Sequence, residues 1–316
     1  MQKIFLITLI LASLSIGCIE HVEAQTLKLG FYNVENVFDT INSPGTADGE
    51  YTPIGSKQWT HQRYTNKIKS LGNVLRAMDC DIVGICEVEN QKVVEDIANE
   101  NGYDYLHIDT HDARGMDQAL LFRTKRFEIN KFSLVGNNNR GFLLIEGISD
   151  SVRLDILVVH LPSKMSRRKV AQNVMLELKN IIDSLTLNND SHVILMGDFN
   201  CNPDEKLIRQ NIPFDGSPII SDSTNQMFNP FLSLSRQGKG SIVWHNRLKM
   251  FDQIIISKKL LNHFNYKAEV FAPNGLFEQH GQRKGYPHRT YIGNKYLGGT
   301  SDHLPVKLTL YGTNIP

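Results

Sequence analysis

Four apolar residues, Val193-Ile194-Leu195-Met196, run without a break into Gly197-Asp198-Phe199-Asn200. An apolar run of this length reads as a strand buried on both faces. Gly197 is expected to let the backbone turn tightly at its end. Asp198 and Asn200 stand two residues apart, so in an extended segment their side chains share a face. A carboxylate and an amide then emerge together from a core strand. One can take a proton or bind a cation, and the other can hold a water or a phosphoryl oxygen. In isolation an Asx turn explains the pair equally well. The other strand ends decide between the two.

The chain has 316 residues, 41% hydrophobic and 21% charged, which fits one large α/β domain or two small ones. A formal net charge of +1 excludes a polybasic or strongly acidic protein, so any basic surface must be local. Residues 1–24 read as a signal peptide. Lys3 gives a short positive region, and Ile4 to Ile16 is apolar but short for a membrane span. Val22-Glu23-Ala24 supplies small residues for signal-peptidase cleavage before Gln25. Ser15-Ile16-Gly17-Cys18 offers a competing lipoprotein box with Ser15 where Leu is usual, and with it a lipid anchor at Cys18. Either route exports the protein, as a periplasmic or secreted enzyme or as a membrane-anchored lipoprotein. No other run approaches a transmembrane helix. Cleavage after Ala24 leaves Cys80, Cys86 and Cys201, an odd number with no C-x-x-C pair, which argues against both a disulfide framework and a zinc site.

Strands are predicted at about 26–32, 81–86, 119–122, 142–145, 152–159, 193–196, 250–256 and 304–310. Helices are predicted at about 59–78, 91–100 and 167–185, and residues 41–58 form a surface loop rich in Gly, Pro, Ser and Thr. No repeat or linker marks a boundary, so residues 25–316 are expected to form one domain and a monomer. Asn33, Glu87, Asp117, His160, Asp198, Asn200, Asp252, Asp302 and His303 all fall at or near strand ends. Converging polar groups at strand ends are how α/β scaffolds build sites. The oxygen donors, with few carboxylates, suit Mg²⁺ or Mn²⁺ shared with a phosphate. Two histidines suit proton transfer and the stabilisation of developing charge. The chain carries no G-x-S-x-G elbow, P-loop or dinucleotide fingerprint.

The ordered set Asn33-Val34-Glu35-Asn36, Glu87-Val88-Glu89-Asn90, Arg114-Gly115-Met116-Asp117, His160-Leu161-Pro162-Ser163, Gly197-Asp198-Phe199-Asn200, Asp252-Gln253-Ile254 and Ser301-Asp302-His303-Leu304-Pro305 resembles the endonuclease/exonuclease/phosphatase superfamily over about residues 27–310. The resemblance implies a four-layer α/β sandwich, with two mixed β-sheets face to face and helices outside, and Mg²⁺-dependent phosphoester hydrolysis. It implies Glu87 as main metal ligand, with Asn33 and Asp302 beside it. Asp198 would orient or deprotonate the attacking water, and Asn200 would hold the scissile phosphate. Asp252 would fix the tautomer of His303, the general base or charge stabiliser. His160 would contact the phosphate or protonate the leaving oxygen. The chain departs from common members at His160-Leu161-Pro162-Ser163-Lys164, where exported relatives often have Trp and Arg.

Asp117 is the candidate carboxylate partner of His160, with an ion pair to Arg114 or Arg140 as the alternative. Lys164, Arg167, Arg168 and Lys169 follow His160. Arg283, Lys284, His288, Arg289 and Lys295 precede Asp302, interleaved with Tyr286, Tyr291 and Tyr296. Cations with stacking aromatics suit a nucleic-acid strand, with Lys164 and Arg289 as substrate contacts. A nuclease is therefore expected first, and a phosphatase or phosphodiesterase of lipid head groups or small phosphoesters second. A catalytically inactive surface binding module is the remote alternative. A lipid-cleaving member should expose an apolar hairpin, for which residues 227–232 are the nearest candidate.

Overall fold

A computed structural model describes residues 26–312 apart from 111, 188–189, 213 and 219–226. The expected leader at 1–24, with Cys18, lies outside the described residues. The first half of the chain gives β1 (Thr26–Val37), α1 (His61–Met78), β2 (Ile82–Val88), α2 (Gln91–Asn99), β3 (Asp104–Ile108), β4 (Asp117–Phe122), β5 (Glu128–Val135), β6 (Phe142–Ser149) and β7 (Val152–His160). The second half gives α3 (Arg168–Leu187), β8 (His192–Asp198), α4 (Lys206–Asn211), β9 (Phe214–Asp215), β10 (Met227–Phe228), α5 (Phe231–Arg236), β11 (Ile242–Trp244), β12 (Arg247–Lys249), β13 (Asp252–Ser257), β14 (Phe264–Val270), β15 (Tyr291–Ile292), β16 (Lys295–Tyr296) and β17 (Val306–Gly312).

Two mixed sheets result. One has six strands in the order β14-β17-β1-β2-β4-β3, and the other seven in the order β5-β6-β7-β8-β13-β10-β9. The β1/β2 and β7/β8 pairs are parallel, and antiparallel pairs surround them. Three apolar clusters follow from side-chain alternation along strands buried on both faces. Leu29, Phe31, Ile82 and Cys86 meet Ile156, Val158, Ile194, Met196 and Ile254 between the sheets. Tyr32, Val83 and Ile85 point the other way and pack under Leu71, Leu75 and Val93 of α1 and α2. Val193 and Leu195 pack under Met175, Leu178 and Ile182 of α3. The apolar run at 193–196 thus feeds two of the three interfaces of a four-layer sandwich with helices outside. Among the described residues no helix is long and apolar enough to cross a membrane.

Several boundaries differ from expectation for identifiable reasons. Trp59 does not open the first helix. It is fully buried and donates its indole N–H to Phe38 O, while Thr60 caps the helix by accepting the Arg63 N–H. Strands β3, β5 and β14 were not expected, because their burial is partial and their alternation weak. Residues 227–232 are buried, as β10 and the start of α5, so the candidate apolar hairpin is core. Gly197 is not the turning residue. It lies within β8 opposite Val159 and Gln253, and a Cβ there would sit 2.1 Å from Val159 O. The turn is taken two residues on from Asp198, by Asn200 at φ 50°. Cys80, Cys86 and Cys201 are buried and free.

Candidate active site

Three neighbouring strands of the seven-stranded sheet place one polar residue each in a single row. Asp198 is in register with His160 of β7 and with Asp252 of β13. Residues directly across a ladder point to the same side, so the row is a consequence of register alone. The Asp198 carboxylate accepts the Asn200 N–H at 2.8 Å through Oδ1. Its Oδ2 faces His160 Nε2 and His303 Nε2, each at 3.9 Å. His303 Nδ1 donates to Asp252 Oδ2 at 2.7 Å. Asp252 Oδ1 is buried without a partner among the described residues.

The six-stranded sheet faces this row with a distorted end. The β1/β2 register shifts between Asn33 and Val37, and the β2/β4 register between Cys86 and Val88. Glu35, Asn36 and Glu87 sit at φ 52°, 48° and 68°, a left-handed conformation rare for residues other than Gly and found where a site aims a side chain. The result turns Glu87 inward. Its Oε2 accepts the Asn36 N–H at 2.9 Å, and its Oε1 accepts from Asn33 Nδ2 at 3.0 Å. The same Asn33 nitrogen reaches Asp198 Oδ2 at 3.1 Å, joining the two sheets. His160 Nε2 lies 3.6 Å from Glu87 Oε1. Ser301 ties down the remaining corner by donating to Asn33 O at 2.7 Å while accepting the His303 N–H at 3.0 Å.

These surroundings split the two imidazoles. Burial opposes charge on His303, but Asp252, its hydrogen bond and Asp198 outweigh it and hold the imidazole well above its ordinary range. Burial, reinforced by Arg140 and His303, holds His160 well below its ordinary range in spite of the nearby carboxylates. Burial and the Asp252 charge push the Asp198 carboxyl up to about 7. The site therefore offers one cationic imidazole, one neutral imidazole and one carboxyl able to change protonation near neutrality.

Four carboxylates, Glu87, Asp198, Asp252 and Asp302, face few cations, and the donors are hard oxygens. That chemistry fits Mg²⁺ or Mn²⁺. The ligand atoms of Asp198, Asp252 and His303 lie within 4.8 Å of one another, so this group could also hold a metal. However, Asp252 and His303 already bond to each other. The Glu87 and Asp302 side chains keep 18% and 21% of their surface open, against 2% and 0% for Asp198 and Asp252. Glu87 and Asp302 are therefore the carboxylates of this group most open to solvent, Asp302 with one oxygen on Arg289.

Other expected residues land elsewhere. Asp117 is not the partner of His160. Its Oδ2 pairs with His107 Nε2 at 2.9 Å and its Oδ1 accepts from the Thr110 N–H and hydroxyl, so both oxygens are engaged. Arg114 and Arg140 pair with Asp112 instead. Asn200 Nδ2 donates to Leu161 O at 3.0 Å and braces the end of β7. Arg289 bridges Asp302 and Glu35, and Lys164 pairs with Glu205. The aromatic loop is not a stacking platform, since Tyr291 is buried and Tyr296 packs on Trp59 and Tyr291. Arg63 covers the Tyr296 ring.

Sequence reasoning missed Glu35 and Lys67. The buried Lys67 ammonium donates to Glu35 O, Thr290 Oγ1 and Thr300 O, which pins the β1 bulge to the loop carrying Asp302. Burial lowers it to about 8. Helical spacing from Tyr64 to Leu71 places Lys67 on the apolar stripe, and that was the available signal.

The chain matches the Endonuclease/Exonuclease/phosphatase family over residues 28–311 and belongs to it. Membership makes the protein a phosphoesterase. Among solved structures, Caenorhabditis elegans TDP2 aligns with a TM-score of 0.58 at 14% identity, over 90% of this chain and 75% of that one. A Bacteroides thetaiotaomicron mannosyl-6-phosphatase aligns at 0.56 and 16%, over 90% and 99%. The human Nocturnin catalytic domain with bound sulfate aligns at 0.55 and 16%, over 92% and 98%. At such identities the likeness is one of fold. No curated protein sequence matches the chain.

Proposed function

We propose that the protein is a Mg²⁺-dependent phosphodiesterase that cleaves nucleic-acid phosphodiesters by in-line attack of an activated water. One observation carries the hydrolytic part of the reading: Asp198 stands in register between His160 and Asp252, with His303 bonded to Asp252 and aimed back at Asp198. Asp198 Oδ2 orients the water and takes its proton as the P–O bond opposite the entering water breaks, and the leaving oxygen departs as an alkoxide that takes a proton from solvent. The His303 imidazolium, held by Asp252, donates from Nε2 to a phosphoryl oxygen as negative charge develops. The neutral His160 presents Nε2 to the same space and orders the water or the phosphate there. Glu87, with Asp302 beside it, would hold the divalent cation, while Asn33, whose Oδ1 accepts the Glu35 N–H and whose Nδ2 donates to Glu87 and Asp198, orients those carboxylates. When bound, that ion neutralises phosphoryl charge and lowers the barrier to attack. The apolar leader at 1–24 supports reading it as an exported enzyme.

The test is a side-by-side assay of purified protein with Mg²⁺ on plasmid DNA, RNA, bis-p-nitrophenyl phosphate and sphingomyelin. Cleavage of DNA or RNA that EDTA abolishes is expected. Turnover of sphingomyelin alone, or undiminished turnover in EDTA, would overturn the reading.

A further inference from the structure

Lys164, four residues past His160, belongs to two adjoining cavities. The smaller, about 180 Å³, runs along Leu161, Phe199 and Asn200 at the end of the catalytic row. The larger, about 410 Å³, lies beyond it between Lys164, Glu205, Trp244, Arg247, Lys249 and Phe251. Its volume falls within the roughly 300–1,000 Å³ typical of small-molecule sites. One wall is the β11–β12 hairpin, whose register pairs Trp244 with Arg247. The two-residue turn places His245 and Asn246 at φ 48° and 60°, the conformation of a tight type I′ hairpin. The hairpin is fastened directly to the site. Ile242 bridges to His303, Leu304 N donates to Ser241 O, and Asp252 N donates to Ser241 Oγ.

The pocket is both aromatic and cationic. The Trp244 and Phe251 rings lie 6.4 Å apart, and Lys164 sits over the Phe251 ring at 5.7 Å. Lys164 is paired with Glu205, but neither Arg247 nor Lys249 has a carboxylate partner among the described residues. Trp244 is half-buried and Arg247 exposed, so an apolar ring edge and a guanidinium border the same opening. An aromatic face beside cations suits a ligand that joins a planar ring to a separate anionic group, the ring stacking on the aromatic face and the anion meeting the cations.

We propose that this pocket is a nucleotide subsite, holding the nucleotide next to the scissile phosphate with its base against Trp244 and its outer phosphate on Arg247 and Lys249. The assignment rests on the phosphodiesterase reading above and adds to it the residues that select the substrate. The groove through Lys164 sets the direction. In this assignment the scissile phosphate sits at Asp198 and His303, and the substrate strand continues past Lys164 to the hairpin that Ile242 ties to His303. The Trp244 side of the site therefore reads the neighbouring nucleotide.

The experiment compares kcat/KM for a 5′-phosphorylated thymidine dinucleotide with kcat/KM for methyl p-nitrophenyl phosphate, in Mg²⁺. Wild type should favour the dinucleotide. Trp244→Ala and Arg247→Ala should each reduce that ratio about tenfold or more, through KM, as loss of one base-stacking or phosphate contact does. Trp244→Phe should retain most of it. Because Arg247 is exposed, its variant decides the question even where Trp244→Ala folds poorly. A ratio unchanged in Arg247→Ala, or no preference in wild type, overturns the subsite and leaves hydrolysis standing. Failure of wild type to cleave either compound overturns both.

Discussion

The two halves of the site are built by different means. The row His160–Asp198–Asp252 is set by regular ladder pairing in the seven-stranded sheet. Asn33 and Glu87 are aimed by two register shifts and three left-handed residues in the six-stranded one. A ladder fixes its side chains as long as the sheet exists. A bulge fixes them only while its braces hold, and here the braces are Lys67, Ser301 and Arg289. The proton-handling half should therefore tolerate changes of charge without loss of fold. The cation-facing half should respond to backbone changes that leave the chemistry untouched.

The largest effect is expected at Asp198. Asp198→Asn keeps the shape and should lower kcat by ~10²–10⁴. It should not lower the melting temperature, because the carboxylate it removes is buried beside Asp252 and Glu87. The pH dependence gives the sign. With its folded value raised to about 7 from 3.8, the group contributes stability that is fully present below 3.8 and lost as pH rises through about 7. In EDTA, wild type should thus lose melting temperature between pH 4 and 8 relative to Asp198→Asn. Each kcal/mol corresponds to about 2–4 °C in a domain of this size. Parallel curves for the two proteins would refute the electrostatic account of the row.

Glu87→Gln tests the opposing half. Wild type should gain about 2–3 kcal/mol of stability at Mg²⁺ concentrations near a hundred times the dissociation constant. The variant should lose that gain along with its activity. Calorimetric melts with and without Mg²⁺ separate this from a general loss of fold. A Mg²⁺ gain that survives in Glu87→Gln would transfer the metal to the Asp198, Asp252 and His303 group.

Gly197→Ala attacks the ladder itself. Its Cβ would meet Val159 O at 2.1 Å, so β7 and β8 must part. A loss of about 1–3 kcal/mol is expected from overpacking alone, with reduced kcat because His160 moves relative to Asp198. A denaturant titration and a rate measurement check it. Near-normal values of both would mean that the row does not depend on ladder spacing.

The same contrast explains what could be read from the sequence. Apolar runs and the polar residues that end them marked β1, β2, β7, β8 and β13, because strands buried on both faces leave a continuous signal. The ladder half of the site therefore stood out, as did the Asp252–His303 pair once the family motifs were matched. Partners that depend on loop path did not. His107, eight residues upstream of Gly115, takes the carboxylate of Asp117 that proximity to the motifs had assigned to His160. Tyr291 and Tyr296 looked like a stacking surface because aromatic content does not tell a packed loop from a binding one. The left-handed residues were invisible, since Glu35 and Glu87 are not residue types that announce a turn.

The smallest expected effect is at Asn36, and it isolates backbone conformation from chemistry. Asn36 stands at φ 48° and gives only its backbone N–H to Glu87. Asn and Gly both accept that conformation, whereas a β-branched residue costs about 1–2 kcal/mol there. Asn36→Gly should leave stability within about 1 kcal/mol of wild type and keep the Mg²⁺ response, because the N–H remains. Asn36→Val should be destabilised and should also bind Mg²⁺ more weakly, because relaxing φ turns the N–H away from Glu87 Oε2. Urea titrations with parallel Mg²⁺ titrations distinguish the pair. If Asn36→Val loses stability but binds Mg²⁺ as wild type does, the strained bulge holds the fold and does not aim Glu87. The difference between the two halves would then be one of local geometry alone.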